Sequence, residues 1–344
     1  KASGAASPDP IEFVARVGDV VSQDLTISNT ALADGFSENL DASAAATGGN
    51  ASVSGGPVTG LAAGASNSTA IDVSASTAAS GVSSGTVTVS YESNGAAFGL
   101  GPNLDAGSQD ITVNTTVYAE AVASVTPTID FGTVRVGSAA ESTISISNTG
   151  SGALVDDLRE TSRSVDTPFS VDPLGGDVAA GDSATLGVAM DTSVAGVYSG
   201  GATLGFASHN KLLADLDLGF ESVSFGGTVN NLASAAFVDV ADADNDGLLS
   251  SSGLNFLLDF GTIFDTDLGV KMRDVIGVKN TALGPADNLA GSFTSLGSGS
   301  CAIFCLGGGA LSFDPFSGLT AQSVLDGLAV ELDTSTLGLG VYQD

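Results

Sequence analysis

Short runs in which apolar and polar residues alternate cover most of this chain. Leu25 and Ile27 alternate with Thr26 and Ser28, and the same period of two returns at Ile71 and Val73, at Val87, Val89 and Tyr91, and at Ile111 and Val113. Further on it marks Ile144 with Ile146, Phe169 with Val171, Leu186 with Val188 and Met190, Leu204 with Phe206, Leu216 with Leu218, and a stretch from Val223 to Val229. Alternation of this kind predicts strands with one face buried. Glycine, asparagine and proline fall between the runs, as turns require. No stretch before residue 118 offers a capped apolar stripe of helical period.

One pattern occurs three times. Ile129-Asp130-Phe131-Gly132-Thr133-Val134-Arg135-Val136-Gly137 is followed by Ile144-Ser145-Ile146-Ser147-Asn148-Thr149. Upstream, Ile11-Glu12-Phe13 and Val17-Gly18 precede Leu25-Thr26-Ile27-Ser28-Asn29-Thr30. Downstream, Leu258-Asp259-Phe260-Gly261-Thr262-Ile263 precedes Val275-Ile276-Gly277-Val278-Lys279-Asn280-Thr281. The phenylalanines are 118 and 129 positions apart, so each copy has the length of a domain and not of a solenoid repeat. The expected division is a flexible or extended arm at 1–10, sandwiches at 11–122 and 123–230, an Asp-rich connection at 231–257 and a third sandwich at 258–344. The repeat also decides residues 323–333. Matching Asp333-Thr334-Ser335 to Asp191-Thr192-Ser193 puts Leu328, Val330 and Leu332 over Leu186, Val188 and Met190, which predicts a strand in place of a short helix.

About seven short strands per 110 residues point to an all-β protein, a tandem array of immunoglobulin-like antiparallel β-sandwiches. The L-D-F-G-T-[VI] opening, the strand ending in Asn-Thr, the Asp-Thr-Ser turn and the Asn230-Asn231-Leu232-Ala233 connection resemble bacterial exported choice-of-anchor D proteins. Their repeated domain is similar to the ASH (abnormal-spindle and hydin-like) immunoglobulin-like fold. The resemblance rests on structural motifs. It implies export to the outside of a Gram-negative bacterium, often through a C-terminal sorting tail, and implies no activity. The opening Lys1 fits removal of a leader or trimming of the sequence.

Charge narrows the partners. Nine basic residues face 39 acidic ones, a net charge of −30, which repels nucleic acid and anionic headgroups. No apolar run is long enough to span a membrane as a helix. Self-association, or a glycan or surface protein, fits better. Two cysteines, Cys301 and Cys305, stand in Gly/Ser-rich sequence, too few for a four-ligand metal site, and are read as a local disulfide.

Asp242-Ala243-Asp244-Asn245-Asp246-Gly247 matches the front half of a calcium loop, with alternate carboxylates and a glycine at position six. Position twelve is Gly253 in place of the bidentate glutamate, and a β-turn is the competing and stronger reading. Asp265 with Asp267, and Asp156 with Asp157, read as solvated loop pairs. The sole histidine, His209, falls in an expected loop with no nucleophile elbow, so no catalytic constellation is seen and a non-enzyme is expected.

The third copy has a further peculiarity. Copies one and two run on for 32 residues from Gly85 to Val117 and 28 from Gly201 to Val229, whereas the matching strand in copy three begins at Gly340, four residues before Asp344. An unfinished sandwich invites strand addition. Either a processed or disordered tail lies beyond the sequence, or another copy completes the fold, with Ile11 and Phe13 near the arm as donor and Gly340, Val341 and Tyr342 as the edge. The sequence therefore reads as a structural protein of the cell surface or extracellular matrix, with head-to-tail strand complementation into a filament as its expected mode of assembly; the alternative is an adhesin binding glycan or protein through its loops.

Overall fold

A computed structural model describes residues 1–240, 247–264, 269, 271–293, 304–306, 315–335 and 340–341. Strands account for nearly all of its regular structure. The first unit holds β1 (Gly4–Ser7), β2 (Ile11–Arg16), β3 (Ser22–Asn29), β4 (Asn39–Gly49), β5 (Ala51–Gly55), β6 (Val58–Leu61), β7 (Ser66–Ala75), β8 (Gly81–Asn94) and β9 (Leu104–Tyr118). The second holds β10 (Ala123–Val125), β11 (Thr128–Arg135), β12 (Glu141–Asn148), β13 (Asp157–Val165), β14 (Phe169–Val171), β15 (Ser183–Met190), β16 (Gly196–Asn210) and β17 (Leu213–Asn230). The third holds β18 (Ala235–Asp239), β19 (Leu248–Ser252), β20 (Asn255–Asp259), β21 (Lys271–Asn280), β22 (Leu289–Gly291), β23 (Phe304–Leu306), β24 (Phe316–Leu319) and β25 (Val324–Asp333).

The three units share one plan. Each has a sheet of the same strand order, β1-β3-β7-β5, β10-β12-β15-β14 and β18-β21-β25-β23. In units one and two a second sheet packs against it, ordered β2-β9-β8-β4-β6 and β11-β17-β16-β13. The repeated Ile-[Glu/Asp]-Phe stretch is the edge of this second sheet. It pairs parallel with the unit's last strand, Ile11 opposite Val113 and Ile129 opposite Phe225, whereas the other named pairings are antiparallel. The alternating apolar residues meet between the sheets. Leu25, Ile27, Ile71, Val87 and Ile111 are buried in the first core, and Ile144, Ile146, Leu158, Leu186, Leu204 and Phe206 in the second. The third core is more aromatic, with Phe237 edge-on to Phe256 at 5.4 Å and Phe293 beside Phe316 at 5.9 Å.

The Asn-Thr at the end of each repeated strand is a second invariant, and its physical reason is visible. Asn29, Asn148 and Asn280 are almost wholly buried. Asn148 Nδ2 donates to the carbonyls of Asp156 and Val178, and its Oδ1 accepts from the amides of Val122 and Gly150. Asn29 does the same with Glu38, Leu61, Ser3 and Ala31, and Asn280 with Asp287, Leu319, Ser234 and Ala282. Four bonds saturate a carboxamide. Each asparagine thus ties three separate segments to one strand end. The following threonine closes the same corner: the amides of Thr30, Thr149 and Thr281 donate to the carbonyls of Ser3, Val122 and Ser234. The asparagine carbonyl in turn accepts from Gly64, Gly181 or Gln322. That last position has positive φ in all three units, and in the third it is held by a non-glycine, Gln322, whose side chain donates to the carbonyls of Thr281 and Ala282.

Several expectations change. Residues 4–7 are not a free arm: β1 pairs with β3, Gly4 opposite Asn29. Ile11 and Phe13 are 2% and 8% exposed in the core of their own unit, so donating them to another molecule would unfold the unit that offers them. The segment 231–257 is not a bare connection. It contains β18, paired with β21, and Phe237 packs in the third core. Leu216–Leu218 and Val223–Val229 are one strand, β17, interrupted by a bulge at Gly219, where φ is +80°. Residues 324–333 are indeed a strand, with Leu328, Val330 and Leu332 buried. Among the described residues no strand lies beside Leu258-Asp259-Phe260 as β17 lies beside Ile129-Asp130-Phe131. Gly340 and Val341 are exposed, Cys305 lies in β23, and Tyr342 and Cys301 lie outside the described residues.

Replacing Asn148 by alanine removes four hydrogen bonds at once, from the partly buried amides of Val122 and Gly150 and to the carbonyls of Asp156 and Val178, of which Val178 keeps the Leu158 amide. We expect a loss of about 2–4 kcal/mol from the second unit, given the usual cost of buried unpaired polar groups. Urea unfolding followed by a probe in unit two checks it; a loss below about 0.5 kcal/mol, the range of an ordinary surface substitution, would contradict the clamp.

Candidate functional site

The most constrained polar chemistry lies where one unit meets the next. At the first joint, Ala119 donates its amide to the Leu154 carbonyl and its carbonyl accepts from the Asp156 amide, both at 2.9 Å, a one-residue parallel bridge. The second joint repeats it with Asn231 between Pro285 and Asp287, at 3.0 and 2.9 Å. Each carboxylate so placed is reached by an arginine from the unit before. Arg16, at the end of β2, donates Nε to Asp156 Oδ2 at 2.6 Å. Arg135, at the same place on β11, donates Nε to Asp287 Oδ2. The carbonyls of Asp156 and Asp287 are the ones held by Asn148 and Asn280. The buried asparagine therefore sets the position of the carboxylate that receives its neighbour.

The two joints differ in depth. The side chains of Arg16 and Asp156 are 10% and 0% exposed. Charged groups taken so far out of water need hydrogen-bonding partners beyond each other, and both have them. Asp156 also accepts from Ser208 Oγ at 2.9 Å and Asn210 Nδ2 at 2.8 Å, and an Arg16 terminal nitrogen donates to the Ser208 carbonyl at 3.1 Å. Close backbone approach helps: a Cβ on Gly152 would lie 2.3 Å from Ser80 Oγ, which accepts from the Ala153 amide. At the second joint Arg135 is 65% exposed and Asp287 23%. The hydrogen bond from Arg135, aided by one from Asn230, holds the Asp287 carboxyl below its ordinary 3.8 against some desolvation.

A second cluster of charges sits on the flank of unit two. Arg159 forms a fork on Asp177 with two bonds of 2.7 Å and reaches Asp215 at 3.5 Å. His209 lies in strand β16 and not in a loop, with Nδ1 2.7 Å from Asp215 Oδ1. Arg159 holds Asp177 below the usual carboxylate range, and the His209 hydrogen bond does the same for Asp215. His209 is thus held beside two carboxylates, and among the described residues no serine or cysteine side chain is hydrogen-bonded to its ring.

The other residues singled out in the sequence divide. Asp156, expected in a solvated loop, is the buried centre of the first joint. Its sequence signal is its place eight residues after Asn148, matched by Asp287 seven after Asn280. Arg16 and Arg135 escaped notice because a lone arginine at a strand end carries no motif; their matching place in two repeats was the available sign. Asp242, Asp244, Asp246, Asp265 and Asp267 lie outside the described residues.

The architecture is that of tandem immunoglobulin-like sandwiches. The model of the family described as ASH (Abnormal spindle-like microcephaly-assoc'd, ASPM-SPD-2-Hydin) matches residues 116–197, from the end of β9 to the start of β16. Among solved structures, the chain is similar to the ASH/PapD-like domain 7 of human CEP192, at 14% identity over 33% of this chain and 87% of that one, TM-score 0.25. It is similar to a three-immunoglobulin-domain titin fragment, an E-to-A variant, at 11% identity over 97% and 89% of the two chains, TM-score 0.36. It is also similar to CfaE, the adhesive subunit of the CFA/I fimbria of enterotoxigenic Escherichia coli, at 8% identity over 66% and 83%, TM-score 0.27. No curated protein sequence matches the chain.

Arg16→Ala leaves the buried Asp156 without its cation and should cost about 3–5 kcal/mol in the stability of units one and two together, as for other broken buried pairs. Arg135→Ala, at a pair open to solvent, should have a clearly smaller effect. Denaturation of the two variants side by side checks the ranking, and equal effects would contradict it. For Asp287 the folded-state pKa is depressed, so its contribution to the second joint is present above pH 3.8 and lost as pH falls through the lower, folded-state value. In a carboxyl-carbon NMR titration Asp287 should titrate below 3.8 in the native chain and move up toward it in Arg135→Gln.

Proposed function

We propose that this chain is a non-catalytic structural protein of a cell surface or extracellular matrix, in which immunoglobulin-like sandwiches stand in series at fixed angles. The observation that carries this reading is the recurrence of one joint at both boundaries: a parallel backbone bridge and an arginine–aspartate pair between successive units. Independent modules on loose tethers have no need of such contacts. The acidity supports the same reading. With 39 acidic and 9 basic residues, the chain spends two of its five arginines on its own joints. Among the described residues no helix is long and apolar enough to cross a membrane.

Self-association by strand addition at the third unit is a second reading. It is favoured by β20, which among the described strands pairs only with β19, Leu249 opposite Leu258, and has there no parallel neighbour such as β17 gives β11. The donor would be a strand other than the one holding Ile11 and Phe13, since those residues belong to their own core.

Small-angle scattering and negative-stain electron microscopy of the purified chain test both. The structural reading expects one narrow distribution of lengths and inter-unit angles, or regular fibres built of such particles. Particles bent at random about the first joint would overturn it, and stable monomers that bind glycans or cell surfaces would move the assignment to an adhesin.

A further inference from the structure

We infer that the pole of the first unit around Glu38 is a docking surface for a further sandwich of this kind set upstream in tandem, whose arginine pairs with Glu38. The pole repeats two parts of the one at which unit two receives its neighbour, the carbonyl held by the strand-ending asparagine and the buried serine on the carboxylate, and shares the first with unit three. Glu38 follows Asn29 as Asp156 follows Asn148 and Asp287 follows Asn280, and its carbonyl is held by the same buried carboxamide. Ser93 stands where Ser208 stands. Ser208 Oγ donates to Asp156 and accepts from the Ala121 amide; Ser93 Oγ donates to Glu38 and accepts from the Ala2 amide. Both serines are buried, at 0% and 1% exposure. A buried serine aimed at a carboxylate is the arrangement that, at Asp156, shares its acceptor with an arginine from the preceding unit.

The surroundings of Glu38 are those of an interface lacking its other half. Phe36 takes the place of Leu154, whose carbonyl binds Ala119, and Phe36 is 86% exposed. Leu32 in the same loop is 77% exposed. Phe98 and Leu100, in the β8–β9 connection at this end, are 46% and 55% exposed. They belong to the same pole as the carboxylate: a Cβ on Gly95 would lie 2.7 Å from Leu100 Cβ and 3.2 Å from Glu38 Oε1. Four large apolar side chains around one carboxylate match a partner that is apolar apart from a single cation. A second copy docking through its third unit lacks that cation. Aligning Leu258-Asp259-Phe260-Gly261-Thr262-Ile263-Phe264 with the Ile129 stretch sets Phe264 where Arg135 stands, and the chain's net charge of −30 opposes any approach that brings no cation.

The test places a copy of residues 1–119 directly before Lys1 of the full chain. Lys1-Ala2 then follow Ala119 in the register that Glu120-Ala121 do in the native sequence. Nitrogen-15 relaxation and small-angle scattering report whether the added unit moves with its neighbour. We expect it to tumble with unit one. Glu38→Ala in the original unit should free it, as should Arg16→Ala in the added one. The exchanged pair, Glu38→Arg with Arg16→Glu in the added copy, should restore coupling that either change alone abolishes. The inference falls if the added unit tumbles independently in the unsubstituted protein. It also falls if Glu38→Ala leaves the coupling intact, or if the native chain alone forms a Glu38-dependent dimer, which would give the surface to a second copy.

Discussion

A single buried carboxamide in each unit is the constraint on which the rest of the structure depends. Asn29, Asn148 and Asn280 each make four hydrogen bonds to backbone groups of segments far apart in sequence. A buried amide with all four sites matched is stable; one with any site empty is costly. The three segments are therefore fixed together or not at all. One of them carries the acidic residue at the unit's pole, so the geometry of the interior is passed directly to the surface that meets the next unit. The strand-ending asparagine serves fold and assembly through the same four bonds.

The joints turn the chain's acid excess into a positional signal. Where carboxylates outnumber cations four to one, an arginine at a fixed place has many possible acceptors, and selection among them must come from desolvation and hydrogen-bond geometry. At Asp156 both are strict: the carboxylate is fully buried and already holds Ser208 and Asn210, leaving room for one guanidinium from one direction. At Asp287 the acceptor is shallower and the pair is open to water and salt. The array thus combines a boundary of high specificity with one that responds to its solvent.

Much of this was legible in the residues. Period-two runs with bulky apolar members, such as Ile144-Ser145-Ile146 and Leu186-Gly187-Val188, are strands with buried inner faces, and the threefold repeat settled 324–333 against a helical reading. Strands made of small or polar residues were not legible. Asn39–Gly49 has a single large apolar residue, Leu40, and Asp157–Val165 is mostly charged and polar; both pair along their length with long central strands, which supply the apolar contrast. The β1 arm was missed for the same reason, since Gly4-Ala5-Ala6-Ser7 holds its place by backbone bonds to β3 and buries only alanine. The site was harder still. Asp156 beside Asp157 looks like any acidic loop until the fold brings Arg16, 140 residues away, against it.

The parallel pairing of each unit's edge strand with its last strand has a mechanical consequence. β2 and β9 share six consecutive register positions, Ile11 to Arg16 against Val113 to Tyr118, and β11 and β17 form the corresponding ladder. Tension along the array drags the two members of such a ladder past each other in opposite senses. Their hydrogen bonds are then strained in shear and share the load, where an antiparallel hairpin pulled open at its ends would surrender them one after another. The first two units are built to resist stretching once a pull has passed the short β1 and β10 and reached the ladders behind them.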